Sequence, residues 1–301
     1  MFLGWPWYVY GLIAALLIAV ITLLEKKELK REHSLEYVVV LSIFNLIVAA
    51  FLWPWVNFNI SGVMLLWLYG ASIFGSLSLW FVAKALRHLD VSVVSPQMTL
   101  SVVFALIFAF IFLGETVSAA QAIGIIILVG GSLLLTREAL HTMPFANHAA
   151  LTYIKKKKTR SVHFYQLLIL AAMALLGASA VMDKFILNNI SVYTFTFYIH
   201  IFLALNHLII YGIVNKGFKN LSKGLNKAGW LIVIIAILTL FSRLALAEAL
   251  AIASVALVIP LKRISSVITT MLGGKLFHER GITIRTIIAI VMVIGVWLVV
   301  Q

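Results

Sequence analysis

The stretch AKALRHLDVSVVSPQMTLSVVFALIFAFIFLGE, Ala83–Glu115, aligns without a gap to AEALAIASVALVIPLKRISSVITTMLGGKLFHE, Ala247–Glu279, at an offset of 164 residues. Identical pairs include Ala83/Ala247, Leu86/Leu250, Val91/Val255, Pro96/Pro260, Ser101/Ser265 and Glu115/Glu279, and the same offset continues to Gly131/Gly295 and Leu134/Leu298. A second echo lies further upstream: LLEKK (Leu23–Lys27) and VMDKF (Val181–Phe185) each close an apolar run with an acidic residue followed by lysine. The chain is therefore written twice, and the repeated unit is apolar.

Working outward, 63% of the 301 residues are hydrophobic and 11% are charged, against about 45–50% and about 25% in ordinary soluble domains. Crossing a bilayer takes ~20 apolar residues in helix. Ten stretches meet that need, at roughly 5–24, 36–55, 62–86, 91–113, 118–136, 163–185, 190–214, 228–250, 253–277 and 281–300. Their apolar residues run continuously and do not alternate, which selects helices over a β-barrel. The sequence thus predicts an all-α membrane protein of ten transmembrane helices. It divides into a first five-helix repeat (1–136), a basic cytoplasmic linker (137–162) and a second five-helix repeat (163–301). Because five is odd, the second unit enters the membrane from the opposite face. An inverted repeat follows, with its binding site expected near the midplane between the halves.

The net charge is +13, yet its placement argues against nucleic acid as a partner. Nineteen of the 23 Lys and Arg residues fall at alternate connections on one side, Lys184 stands alone on the other, and Arg243, Lys262 and Arg263 lie inside predicted helices. This asymmetry puts the basic connections in the cytoplasm and both termini outside the cell membrane. The run Lys155–Lys158 suits anionic headgroups of the lipid bilayer. The N-terminal MFLGWPWYVYGLIAAL lacks the basic start and small-residue cleavage site of a removable signal, so the first helix is expected to stay as an anchor. With no cysteine, thiol nucleophiles and cysteine metal sites are excluded. No Gly-rich phosphate loop, HExxH or GxSxG is present, so neither an enzyme nor a cofactor is expected. His200 and His207 share a helix face but lack further ligands for a metal. Asn45 and Asn206 read as interhelical hydrogen-bond partners.

Lys262 and Arg263 stand within ~5 Å of the middle of their helix at 1.5 Å per residue, and Arg243 is similarly central. Each costs on the order of 2.5–3.5 kcal/mol to insert at that depth. The equivalent positions in the first unit are Leu79, Met98 and Thr99, all uncharged, so the repeat does not itself require the charges. Either these cations face a central cavity and attract an anionic group of a small-molecule substrate, or they pair internally with Glu248 or Asp183. Three cations against two carboxylates favour an unpaired cation in the cavity. Adjacent residues diverge by ~100° on a helix, so Lys262 and Arg263 are expected to do different work. Pro96 and Pro260 each remove a backbone donor early in a helix and are read as hinges, or as prolines tolerated in a first turn. Glu115 and Glu279 recur at helix ends, where they cap or stitch the following helices.

An AL pair closing one helix, then SVVSP, an apolar helix ending LGE, and QAIGIIILVGGSLLL resemble the EamA-type proteins of the drug/metabolite transporter superfamily. The second copy, EALAIASVALVIP to FHERGITIRTIIAIVMVIGVWLV, resembles them equally. The resemblance spans nearly the whole chain and implies a ten-helix transporter, with Trp80, Gln97 and Ser101 lining its cavity. Many relatives are drawn with cytoplasmic termini, the reverse of what the charges here imply. The small multidrug exporters of that superfamily use a glutamate in their first helix, and Tyr8–Leu23 contains none. The resulting expectation is a secondary transporter or exporter of a small polar or amphipathic metabolite carrying an anionic group, working by alternating access. An amino-acid exporter and a non-transporting membrane scaffold or lipid-interacting protein are the competing readings. A homodimeric assembly is compatible with all three.

Overall fold

The computed structural model describes residues 4–30, 33–113, 118–141, 151–218, 221, 229–253 and 255–300. Among them the chain is helical: α1 (Trp7–Leu29), α2 (Ser34–Ala49) continued by a 3-10 turn (Ala50–Trp55), α3 (Gly62–His88), α4 (Val91–Gln97), α5 (Leu100–Leu113) and α6 (Ala119–His141). There follow α7 (Leu151–Leu187), α8 (Val192–Val214), α9 (Trp230–Ile252), α10 (Val255–Lys262), α11 (Ile264–Leu276) and α12 (Ile282–Val300). Six segments are long and apolar enough to cross a membrane: 7–29, 34–55, 62–88, 162–187, 192–214 and 230–252. Shorter apolar helices occupy 91–105, 122–135 and 282–298.

The outer surface is apolar. Leu66, Ile126 and Ile213 are at least 70% exposed, and Leu16, Phe51 and Trp297 join them. A water-soluble surface does not tolerate apolar patches on this scale, whereas lipid does. The polar residues turn inward: Ser72, Ser76, Ser92, Thr99 and Thr194 are fully buried.

Three features depart from the sequence reading. First, the predicted spans 91–113 and 253–277 are each two helices, interrupted at Met98–Thr99 and at Arg263. Pro96 lies in α4 and Pro260 in α10, each shortly before its interruption. At the first, the Pro96 carbonyl accepts from Thr99 N at 3.0 Å and Thr99 Oγ1 at 2.7 Å. At the second, the Lys262 and Arg263 carbonyls accept from the hydroxyls of Ser265 and Ser266, each at 2.7 Å. Carbonyls freed by the break are satisfied locally, which a bilayer interior demands. Second, α1 runs past the predicted end at 24 to Leu29, so Glu25 and Lys26 belong to the helix. Third, the predicted linker is helical at both flanks, with α6 reaching His141 and α7 starting at Leu151; residues 142–150 lie outside the described residues.

The principal packing pairs are α3 on α7, α1 on α9, α6 on α12 and α2 on α8. Two further contacts, of α1 with α3 and of α7 with α9, are fastened alike. Lys26 Nζ of α1 donates to the carbonyl oxygens of Leu86 (2.6 Å) and Leu89 at the end of α3. Lys184 Nζ of α7 donates to those of Leu250 (2.6 Å) and Ala253 (3.0 Å) at the end of α9. Each lysine supplies donors to the terminal carbonyls that a helix leaves unsatisfied. Lys26 and Arg285, counted in the sequence among the loop charges, are thus internal: they are 5% and 0% exposed.

Candidate functional site

A cavity of about 230 Å³ lies inside the bundle. Its walls come from α1, α2, α3, α7, α8 and α9 and from the interruptions of α4–α5 and α10–α11. Among the described residues, none from α6 or α12 lines it. The breaks matter to its chemistry. They bring Ser101 of α5 and Arg263, at the head of α11, into the cavity wall.

The three intramembrane cations Arg243, Lys262 and Arg263 all line this cavity. Arg243 projects from the middle of α9, while Lys262 and Arg263 sit at the α10–α11 break. Arg263, 2% exposed, donates through Nη2 to Ser101 Oγ, so the two interrupted helices meet at a hydrogen bond between predicted site residues. Its Nε finds no protein partner. Asp183 of α7 shares the cavity and lies within electrostatic reach of Arg243 and Lys262. Yet among the described residues the ion pairs within 4.0 Å are made by Arg285, to Asp90 (2.7 Å) and Glu279 (3.9 Å), and none by these three cations. One Asp183 oxygen, Oδ1, has no hydrogen-bond partner.

Other expected residues fall elsewhere. Glu248 is buried in α9 away from the cavity wall. Trp80 is half-buried beside Phe81, with Lys84 Nζ 5.8 Å from its ring centre, and it does not line the cavity. Gln97 is 1% exposed, outside the lining, with Nε2 unpartnered. Asn206 Nδ2 donates to Ser72 Oγ across α8 and α3 at 2.9 Å, whereas Asn45 reaches the cavity. Glu279 caps α4, its carboxylate accepting from Val91 N at 2.8 Å and Ser92 N at 3.0 Å. Glu115 lies outside the described residues.

Several cavity residues were not singled out as such from the sequence. Glu25, Thr239 and His200 line it. Glu25 was visible as the acidic member of LLEKK, one residue pair equivalent to Asp183 of VMDKF, but it falls just past the window in which a first-helix carboxylate was sought. Thr239 and His200 carry no motif; only the packing of α8 and α9 turns them inward.

Fold and cavity together define a multi-pass helical membrane protein with a charged interior site. The model of the EamA-like transporter family matches residues 5–137 and, separately, residues 163–301, and the chain belongs to that family. It is a non-enzymatic class of membrane transporters for small molecules within the drug/metabolite transporter superfamily. No curated protein sequence matches the chain significantly. Among solved structures, one crystal structure of a protein shares 15% identity over 97% of both chains with a TM-score of 0.61; a likeness at that identity speaks for the fold alone.

Proposed function

We propose that this transporter moves a small polar or amphipathic metabolite bearing an anionic group, by alternating access between two inverted five-helix repeats. The observation that carries the proposal is the cavity in which Arg243, Lys262 and Arg263 converge without an ion pair within 4.0 Å among the described residues. Unpaired cations in a low-dielectric interior are costly, and an anionic ligand offsets that cost only while bound. Asp183 and Glu25 set two carboxylates against the three cations in the same lining, which leaves it formally net positive. The apolar wall, including Leu79, Leu176 and Leu203, suits a substrate with a hydrophobic portion.

Several observations support the repeat behind this mechanism. The family model matches the chain twice, both halves break their fourth helix near the same aligned position, and Lys26 and Lys184 tie equivalent helix ends. In the proposed orientation the basic connections face the cytoplasm. Pro96 and Pro260, just ahead of the breaks, serve as hinges on which α4 and α10 pivot.

The test is a metabolite export screen in cells with and without the protein, fused at its C-terminus to a reporter active only in the cytoplasm. The proposal expects released compounds to be anionic, their release to fall at least about tenfold in Arg243→Ala and Lys262→Ala, and the reporter to stay silent. Wild-type release from both variants at normal membrane abundance would contradict the anion site. A strong reporter signal would reverse the orientation.

A further inference from the structure

At the basic-loop face, α4 of the first half is held by charged groups of the second. Arg285 of α12, fully buried, donates through Nη1 to Asp90 Oδ2 at 2.7 Å and to Ser92 Oγ at 2.8 Å, and lies 3.9 Å from Glu279 Oε2. Glu279 in turn accepts from the backbone N–H groups of Val91 and Ser92. It is carried on the tight turn between α11 and α12, where His278 (φ 53°) and Gly281 (φ 72°) adopt left-handed backbone. Lys26 binds the carbonyls of Leu86 and Leu89, directly before Asp90. Two cations and two carboxylates thus gather around the α3–α4 junction.

This cluster stands at one end of the cavity. Glu25, which lines the cavity, precedes Lys26 in α1, and Val82, which also lines it, lies one helical turn before Leu86. Packing closes the same end: a Cβ on Gly273 of α11 would stand 2.4 Å from Val91 Cγ1 and 3.0 Å from Leu23 Cδ2, so α1, α4 and α11 meet with no space between them. The opposite end has the matching lysine tie, Lys184 to Leu250 and Ala253. Glu115 matches Glu279 in sequence, but the arginine–aspartate pair has no counterpart there. The repeat offset puts Ser254 where Asp90 stands, Ala256 where Ser92 stands and Gln121 where Arg285 stands. The sequence thus writes the Arg285–Asp90 pair of the clasp once.

We infer that Arg285, Glu279 and Asp90 form a one-sided gate that locks the basic-loop end of the cavity, so that the empty transporter opens by preference on the opposite face. Two packed ends with unequal locks cannot open with equal ease: both carry a lysine tie, but one also needs a buried guanidinium stripped of its aspartate partner. The inference rests on the transporter reading, and its test separates the two. Lacking native cysteine, the chain accepts a single Thr239→Cys reporter, since Thr239 lines the cavity and its hydroxyl has no partner. Membrane-impermeant maleimide is applied from either face of oriented vesicles to the full-length protein. The reporter protein is expected to label from the face opposite the basic loops. Adding Arg285→Ala should raise labelling from the basic-loop face by about tenfold, and Asp90→Asn by a smaller factor, with Arg285→Lys in between. Asp90, half-exposed at its side chain, is the variant that keeps the fold should Arg285→Ala unfold. Labelling confined to the far face in folded Asp90→Asn and Arg285→Ala proteins would overturn the gate alone. Labelling from neither face in any variant would overturn both the gate and alternating access.

Discussion

At the scale of single residues, position in the bundle decides what a charge does. Lys26, Lys27 and Arg285 read identically in sequence as basic residues near a membrane face. Lys27 is exposed, whereas Lys26 closes the end of α3 and Arg285 clasps Asp90. Sequence alone cannot separate them, because adjacent helical residues differ only in azimuth and that azimuth is set by the neighbours. Replacing Lys26 with methionine leaves the Leu86 and Leu89 carbonyls without its donor, a loss of about 1–3 kcal/mol for buried groups. Lys26→Met should lower the unfolding temperature in detergent, Lys184→Met should do so comparably, and Lys27→Met should not. Equal unfolding temperatures for Lys26→Met and Lys27→Met would contradict the tie. The intramembrane cations were more legible. Arg243, Lys262 and Arg263 stand out in any apolar run, and their cost of insertion points to a cavity without coordinates. Their partners were less so: Glu248, nearby in sequence, turns out of the cavity, while Asp183 from a distant helix lines it.

At the scale of elements, helices were easy to find and their ends and breaks were not. α1 was expected to stop at the charged run Glu25–Glu28, since hydropathy falls there. Backbone hydrogen bonding is indifferent to charge, and no Gly or Pro interrupts that run, so the helix continues to Leu29. The breaks in the fourth and ninth spans fall after Pro96 and Pro260, downstream of where proline chemistry acts, because Ser and Thr hydroxyls take up the freed carbonyls. Glycines also look alike in sequence and differ in contact. A Cβ on Gly177 of α7 would stand 2.9 Å from Ala105 N and 3.1 Å from Phe104 C of α5, backbone atoms that cannot step aside, whereas one on Gly130 of α6 meets nothing within 4 Å. Gly177→Ala should therefore cost about 1–3 kcal/mol of stability by forcing α5 and α7 apart. Gly130→Ala should be neutral or gain up to about 1 kcal/mol from helix propensity. Thermal unfolding of the two variants side by side checks this, and an unaffected Gly177→Ala would show that the two helices have slack.

At the scale of the molecule, the gapless alignment of Ala83–Glu115 on Ala247–Glu279 led to the expectation of two repeats; the described residues form an all-helical membrane fold, and the family model matches the chain in two blocks. What the alignment hid is asymmetry. The charges of the second unit, Arg243, Lys262 and Arg263 in the cavity and Arg285 at its edge, have neutral counterparts in the first. In the proposed mechanism the first group selects the substrate and the second biases the direction in which the cavity opens, so a repeated scaffold acquires a vectorial character from its unmatched residues. The most direct measurement of the central claim is efflux from proteoliposomes preloaded with a defined mixture of small carboxylates, phosphate esters, amines and neutral sugars. Wild-type vesicles should lose anionic compounds selectively, and Lys262→Ala and Arg243→Ala vesicles, folded and equally reconstituted, should retain them. Selective loss of amines or sugars, or anion efflux unchanged in both variants, would contradict that claim.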